Sequence, residues 1–370
     1  MKSILNLVRK NIKDLSAYSS ARSLFKEGIL LDANESSFEI LSGKDQSLSL
    51  NRYPDGSNSA LRAHLASLFN LQSENLALGN GSDEIIDLLI RIFCQPLNDS
   101  ILILPPTFGM YKVAAKVNEV NIIEVLNPDS TVSLLENIIL PASLPVKEIL
   151  EKSKNGVKII FICNPNNPTG ISYNRKEIQE IVEKVNCLVV VDEAYGEFID
   201  QESMVPELPH FGNLVVLKTL SKAYALAGIR MGMALASSEI ISLIQKVKMP
   251  YNLNSLTTNM LLNCSDLLER KSKNVAQILV EKEDLKKNLE KLKIIKAIVP
   301  SAGNFFLVRF INAEIVFDGL VDMGIIVRKV DSSYGMDSCL RISVGNKDEN
   351  QALISALVTI QNKTLFPIGL

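Results

Sequence analysis

Four short stretches place reactive or polar side chains at the ends of apolar runs, where α/β folds gather ligands. In Leu214–Ala234 an apolar run ends in Thr219-Leu220-Ser221-Lys222, followed by Gly228 and Arg230. A lysine amine becomes a nucleophile toward carbonyls when its surroundings lower its pKa, and an aldehyde cofactor is its commonest target. Taken alone, a Ser-Lys pair is more often an ordinary exposed lysine. In Val189–Phe198 a second apolar run ends in Asp192 and continues to Tyr195. A carboxylate there could pair with a protonated pyridine nitrogen, or cap a helix, or bind a metal. With only His64 and His210 in the chain, a histidine-rich metal site is excluded and no metal is expected. Phe161–Gly170 runs from a third apolar segment into Pro165, Asn167, Pro168 and Gly170, a rigid turn whose Asn167 amide could donate to a ligand oxygen and whose Asn167–Pro168 bond is a cis candidate. In Leu76–Phe93, Gly79-Asn80-Gly81 precedes Ser82-Asp83 and an apolar helix, whose first N–H groups favour an anion provided Asp83 and Glu84 turn away.

The elements that must position these groups follow from hydrophobic periodicity. Leu76–Leu78, Ile101–Leu104, Lys158–Cys163, Cys187–Val191, Leu214–Lys218 and Met231–Ala236 read as strands alternating with helical segments, several too uniformly apolar to have a wet face. Beyond Pro250 a charged helical stretch covers about Ser255 to Leu292, its charges marking a solvated face. Strands at Ala297–Pro300, Asn304–Phe310, Ile325–Arg328 and Leu340–Val344 follow, with helices near Ala313–Met323 and Lys347–Gln361.

Composition bounds the possible partners. The 370 residues suggest about two domains, and 47% hydrophobic with 22% charged residues describes a folded chain. A net charge of −2 makes nucleic acid an unexpected partner. No apolar run approaches the ~20 residues of a bilayer span, and Arg9 and Lys10 interrupt any secretory stretch, so a cytoplasmic protein without a membrane partner is expected. Five scattered cysteines fit buried, reduced thiols.

Taken together and in order, Asp192-Glu193-Ala194-Tyr195, Ser221-Lys222 and Arg230 resemble the aspartate-aminotransferase superfamily of fold-type I pyridoxal-phosphate enzymes. Within it, Leu31-Asp32-Ala33-Asn34-Glu35, Asn51-Arg52-Tyr53-Pro54-Asp55, Pro105-Pro106-Thr107-Phe108-Gly109-Met110-Tyr111, Arg328 and Arg341 are similar to the histidinol-phosphate aminotransferases, from about Tyr18 to Gly345. The resemblance implies an α/β fold: a large domain over 51–250 with a mostly parallel seven-stranded sheet covered by helices, a smaller α+β domain over 251–370, and an N-terminal segment, 1–50, joining the small domain. It implies pyridoxal 5'-phosphate as cofactor and transamination between histidinol phosphate and 2-oxoglutarate in histidine biosynthesis. By that resemblance Lys222 binds the cofactor covalently and shuttles a proton, Asp192 pairs with the ring nitrogen, Asn167 and Tyr195 bond the ring oxygen, and Phe108 stacks on the ring. The Ser82 and Asp83 amides, Ser221, Arg230 and Tyr53 from a second subunit hold the phosphate, which makes the enzyme a homodimer with shared sites. Tyr18, Asn34, Arg328 and Arg341 take the small anionic substrates. The chain departs from the pattern at Phe108, where tyrosine is common, and at Ser36-Ser37-Phe38, where a proline is usual nearby. Threonine-phosphate decarboxylases and aromatic aminotransferases are the alternatives on the same fold. A non-catalytic regulator is disfavoured, since about thirty residues before Asn34 are too few for a DNA-reading module with its linker.

Overall fold

The computed structural model describes residues 4–16, 36, 50–126, 143–199 and 202–365. Its larger sheet has strands β1 (Leu76–Asn80), β2 (Ser100–Ile103), β3 (Asn121–Glu124), β4 (Val157–Cys163), β5 (Leu188–Asp192), β6 (Leu214–Thr219) and β7 (Met231–Ala236). Their order is β1-β7-β6-β5-β4-β2-β3, and β7 alone opposes its neighbours. Alternate residues of one strand serve opposite cores: Val189 and Val191 face one, Leu188 and Val190 the other. This double burial is why the strands read as unbroken apolar runs.

Helices α1 (Lys10–Lys13), α3 (Ser82–Phe93), α4 (Met110–Val117) and α7 (Ser238–Val247) cover one face. Helices α2 (Ser59–Ser67), α5 (Val146–Lys152), α6 (Arg175–Lys184), α8 (Ser255–Leu262) and the start of α9 (Leu267–Leu289) cover the other. A second, antiparallel sheet has the order β10-β11-β9-β8, from β8 (Ile295–Ile298), β9 (Phe305–Phe310), β10 (Arg328–Lys329) and β11 (Cys339–Ser343). It packs on α10 (Ala313–Asp322), α11 (Lys347–Leu365) and the end of α9. The mostly parallel seven-stranded sheet with a smaller α+β unit is therefore the architecture present.

Several boundaries differ from those read in the sequence. Strand β3 was hidden because Asn121-Ile122-Ile123-Glu124 is short and forms a half-exposed sheet edge. The helical stretch after 255 is two helices, interrupted at Asn263, whose side chain donates back to Asn259 O at 2.9 Å. Residues 4–12 do not join the small unit: Ile4, Val8 and Ile12 bury against the core of α3 and α7, and Arg9 N donates to Ile92 O at 3.0 Å. The large core also reaches past residue 250, through Leu253, Leu261 and Leu267.

Beneath the carboxyl edge of the large sheet, Lys218 of β6 lies between two acids of the turn after β5. Its Nζ is 2.9 Å from both Glu193 Oε2 and Glu197 Oε1, with all three side chains buried. Ser203 Oγ and Met204 N (2.7 Å) donate to the two oxygens of Glu193. Burial alone would depress the ammonium, but the paired acids hold its pKa above the ordinary lysine value. Removing one member leaves buried charge uncompensated, so Lys218→Met should lose about 3–5 kcal/mol of unfolding free energy in a urea titration. A loss below 1 kcal/mol, the scale of an exposed pair, would show that the triad is not structural.

Candidate active site

The ends of the parallel strands converge on one cavity of about 210 Å³. Asp192 is the last residue of β5, Lys222 follows β6 by three residues, Asn167 lies in the turn after β4, and Ser82 opens α3 just after β1. Asp83, Phe108, Tyr195, Ser221, Arg230 and Arg341 complete the sequence-derived residues of its lining.

Asp192 is the floor. It is 2% exposed, Tyr111 Oη donates to its Oδ2 at 2.7 Å, and Ala194 N donates to its Oδ1 at 3.1 Å. Burial raises its pKa, with both hydrogen bonds pulling the other way. Tyr111 is the residue that motif reading left without a role. Its ring stacks on Phe161 at 4.6 Å and meets Phe108 edge-on at 5.6 Å, so one buried side chain orients both the carboxylate and the aromatic wall. The signal was present only as an aromatic within the Pro105–Tyr111 motif, since its partner lies across the sheet.

Lys222 stands above this floor, its Nζ 5.7 Å from the centroid of the Tyr195 ring. Burial, helped by the Arg341 charge, lowers its pKa, which favours the neutral amine a nucleophile needs. Arg341 Nη1 donates to Asn167 Oδ1 at 2.6 Å, which leaves the Asn167 amide N–H groups to face a ligand. The Asn167–Pro168 bond is cis, as are Pro105–Pro106 and Asn164–Pro165.

The opposite end of the cavity is an anion cradle. Gly81 has φ +80°, its N donates to Arg230 O at 2.7 Å, and Arg230 itself is left-handed at φ +55°. A Cβ on Gly232 would fall 2.3 Å from Ser82 N, so only glycine lets β7 approach the start of α3. Glu84 is turned away, accepting from Asn80 N at 2.5 Å and Asn252 Nδ2 at 3.0 Å. Asp83 is not turned away, so the condition read from the sequence is met by Glu84 alone; the Asp83 Oδ2 lies 3.6 Å from Arg230 Nη2, whose charge offsets it. A buried carboxylate, a depressed lysine and a helix N-terminus around one cavity fit a flat cofactor with a basic ring nitrogen, an aldehyde and a phosphate.

Arg328 lies next door, lining an adjoining cavity of about 480 Å³ that shares Phe108, Asn167 and Arg341. It pairs directly across from Arg341 in the small sheet, and among the described residues its side chain has neither ion pair nor hydrogen bond. Tyr53 is not in this chain's cavity; it is half exposed in a separate groove, stacked on Tyr251 at 4.7 Å. Tyr18 and Asn34 lie outside the described residues. Among those described, no three His, Cys, Asp or Glu residues are grouped to hold a metal, and no helix is long and apolar enough to cross a membrane.

Comparison with known proteins gives a consistent result. The family model for class I and II aminotransferases matches residues 26–357. A histidinol-phosphate aminotransferase from Cytophaga hutchinsonii is 42% identical over 96% of this chain and 99% of its own. The enzyme of that name from Parabacteroides distasonis is 41% identical over the same shares. Among solved structures, the histidinol-phosphate aminotransferase from Clostridium acetobutylicum superposes with a TM-score of 0.74 at 27% identity, covering 85% of this chain and 92% of that one.

The environment of Asp192 has a measurable consequence in the cofactor-free protein. Because burial raises its folded pKa above the ordinary aspartate value, its stabilising contribution is full below the unfolded pKa and is lost as pH rises through the folded one. Tyr111→Phe removes a donor that favours the ionised form, so the Asp192 titration should move to still higher pH. Carbon-13 NMR of labelled aspartate reads this directly; an unmoved midpoint would deny Tyr111 any hold on the carboxylate.

Proposed function

Because the chain belongs to the class I and II aminotransferase family, we propose that it is a pyridoxal-phosphate-dependent transaminase acting on L-histidinol phosphate and 2-oxoglutarate. The products are imidazole acetol phosphate and L-glutamate, the transamination of histidine biosynthesis. The observation that carries the reading is the buried Asp192 facing the same small cavity as the depressed Lys222 and the start of α3. The full-length relatives named above select this substrate over the decarboxylase and aromatic-aminotransferase alternatives.

Bound pyridoxal phosphate supplies an electron-poor ring that withdraws electrons from the bonds of the substrate carbon attached to it. Lys222 Nζ would hold the cofactor through its aldehyde carbon and would carry the proton of the substrate's amine-bearing carbon. Asp192 keeps a proton on the ring nitrogen, and its burial makes that pairing strong. Tyr195 and Asn167 donate to the ring oxygen, while Phe108 covers the ring face, a task that needs no hydroxyl. The Ser82 and Asp83 N–H groups, Ser221 and Arg230 hold the phosphate. Arg328 and Arg341 take the anionic groups of both substrates, as guanidinium geometry suits phosphate and carboxylate alike; Tyr18 and Asn34 belong to the same substrate set.

The working unit of this reading is a cytoplasmic homodimer. Leu50, Tyr53 and Leu256 are large exposed apolar residues lining one groove, as a subunit interface would require, and Tyr53 reaches the cofactor phosphate of the second copy.

With 2-oxoglutarate as acceptor, glutamate should form faster from histidinol phosphate than from phenylalanine, and threonine phosphate should release no carbon dioxide; the reverse pattern overturns the substrate assignment. Lys222→Ala should abolish turnover. Mixing inactive Lys222→Ala with Tyr53→Ala should restore activity, since one site of each mixed dimer has both residues intact. Mixed dimers with confirmed subunit exchange and no activity would place the action of Tyr53 within its own chain.

A further inference from the structure

Two side chains that line the larger cavity, Lys112 and Tyr334, are tied together by a third, Glu124, and the three come from separate elements. Lys112 comes from α4, Glu124 ends the edge strand β3, and Tyr334 lies in the turn between β10 and β11. They form a closed triangle. Lys112 Nζ donates to Tyr334 Oη at 2.6 Å, Tyr334 Oη donates to Glu124 Oε2 at 2.8 Å, and Lys112 Nζ lies 2.5 Å from Glu124 Oε1. The same ammonium sits 5.0 Å from the Tyr334 ring centroid. Tyr334 holds this place with φ +68°, a backbone region costly for a residue with a Cβ, so the contact outweighs a local strain.

The triangle joins the edge of the large sheet to the small sheet, at the turn that follows Arg328's strand. The two arginines facing the cavity are held differently. Arg341 is fixed by Asn167 Oδ1 at 2.6 Å and lies 5.5 Å from the Phe305 ring. Arg328 belongs to a two-residue edge strand and has no side-chain holder among the described residues. Two residues of strand pairing set its backbone across from Arg341, and the turn that leads from it to Tyr334 is what steadies so short a strand. Lys112 is already committed to Glu124, so the wall adds geometry rather than another charge for the ligand.

We propose that Tyr334, fastened by Lys112 and Glu124, is a positioning residue that fixes Arg328 beside Arg341 and so sets the enzyme's selectivity for a phosphorylated amino donor. The inference rests on the substrate reading above and deepens it. The phenol touches neither cofactor nor reacting atoms. Its loss should weaken capture of the phosphate while leaving the chemical step alone.

The test compares Tyr334→Phe with the wild type on histidinol phosphate and on histidinol, which lacks the phosphate. The variant should raise KM for histidinol phosphate about tenfold, the scale of one lost hydrogen bond to a charged group, with kcat little changed and kcat/KM for histidinol unchanged. Hydrogen exchange over residues 330–336 should quicken. Glu124→Gln should produce the same selective loss, and the double variant should lose less than the sum of the two, as partners in one network do. Equal losses on both donors, or a fall in kcat with KM unmoved, would reduce the triangle to ordinary structure. An unchanged KM for histidinol phosphate in both variants would overturn the proposal. A wild type that does not distinguish histidinol phosphate from histidinol would overturn the substrate reading instead, and unchanged exchange over 330–336 would then still refute the fastening.

Discussion

One ammonium under the sheet holds together what the cavity above it needs. Lys218 is the penultimate residue of β6, immediately before the Thr219-Leu220-Ser221-Lys222 run, and it binds both acids of the turn that leads from Asp192 through Tyr195. Two central strand ends are thereby tied by charge rather than by packing alone. A buried ion pair gains stability only when its remaining polar atoms are also bonded; here Ser203 Oγ shares Glu193 Oε2 with Lys218 and Met204 N takes Glu193 Oε1, while Glu197 Oε2 has no hydrogen-bond partner among the described residues. The arrangement sets the two strand ends that carry Asp192 and Lys222 at a fixed separation.

That separation matters because Asp192 and Lys222 must keep opposite tendencies within one small space. Burial raises the acid's pKa and lowers the amine's, so each group is shifted toward its neutral form. The small sheet works by a related logic. Arg328 and Arg341 face each other across adjacent strands, where like charges repel. An anion between them removes that repulsion, so the pair is arranged for a ligand more than for the fold.

Much of this was legible before the structure, and the exceptions have physical causes. Strands buried on both faces betray themselves as unbroken apolar runs, which is why β4, β5, β6 and β7 stood out and the half-exposed β3 did not. Asp192, Asn167, Ser82 and Lys222 were readable because each follows such a run directly, so position along the chain translates into position at the sheet's edge. Tyr111 and Tyr334 were not, because their functions lie in contacts with Asp192 and with Lys112 and Glu124, far away in sequence. The burial of residues 4–12 against α3 and α7 escaped for the same reason. Spacing reports neighbours along an element; it carries no information about which element will lie opposite.

The two sheets also divide the site by order of synthesis. Within this chain every residue around the small cavity except Arg341, from Gly81 to Arg230, precedes the segment from Arg328 to Arg341. Domains form as units as the chain emerges from the ribosome, so the cradle at the large sheet's edge is encoded, and made, before the guanidinium pair and the tyrosine that braces it. A growing chain thus acquires the means to capture a cofactor before it acquires the means to choose a substrate.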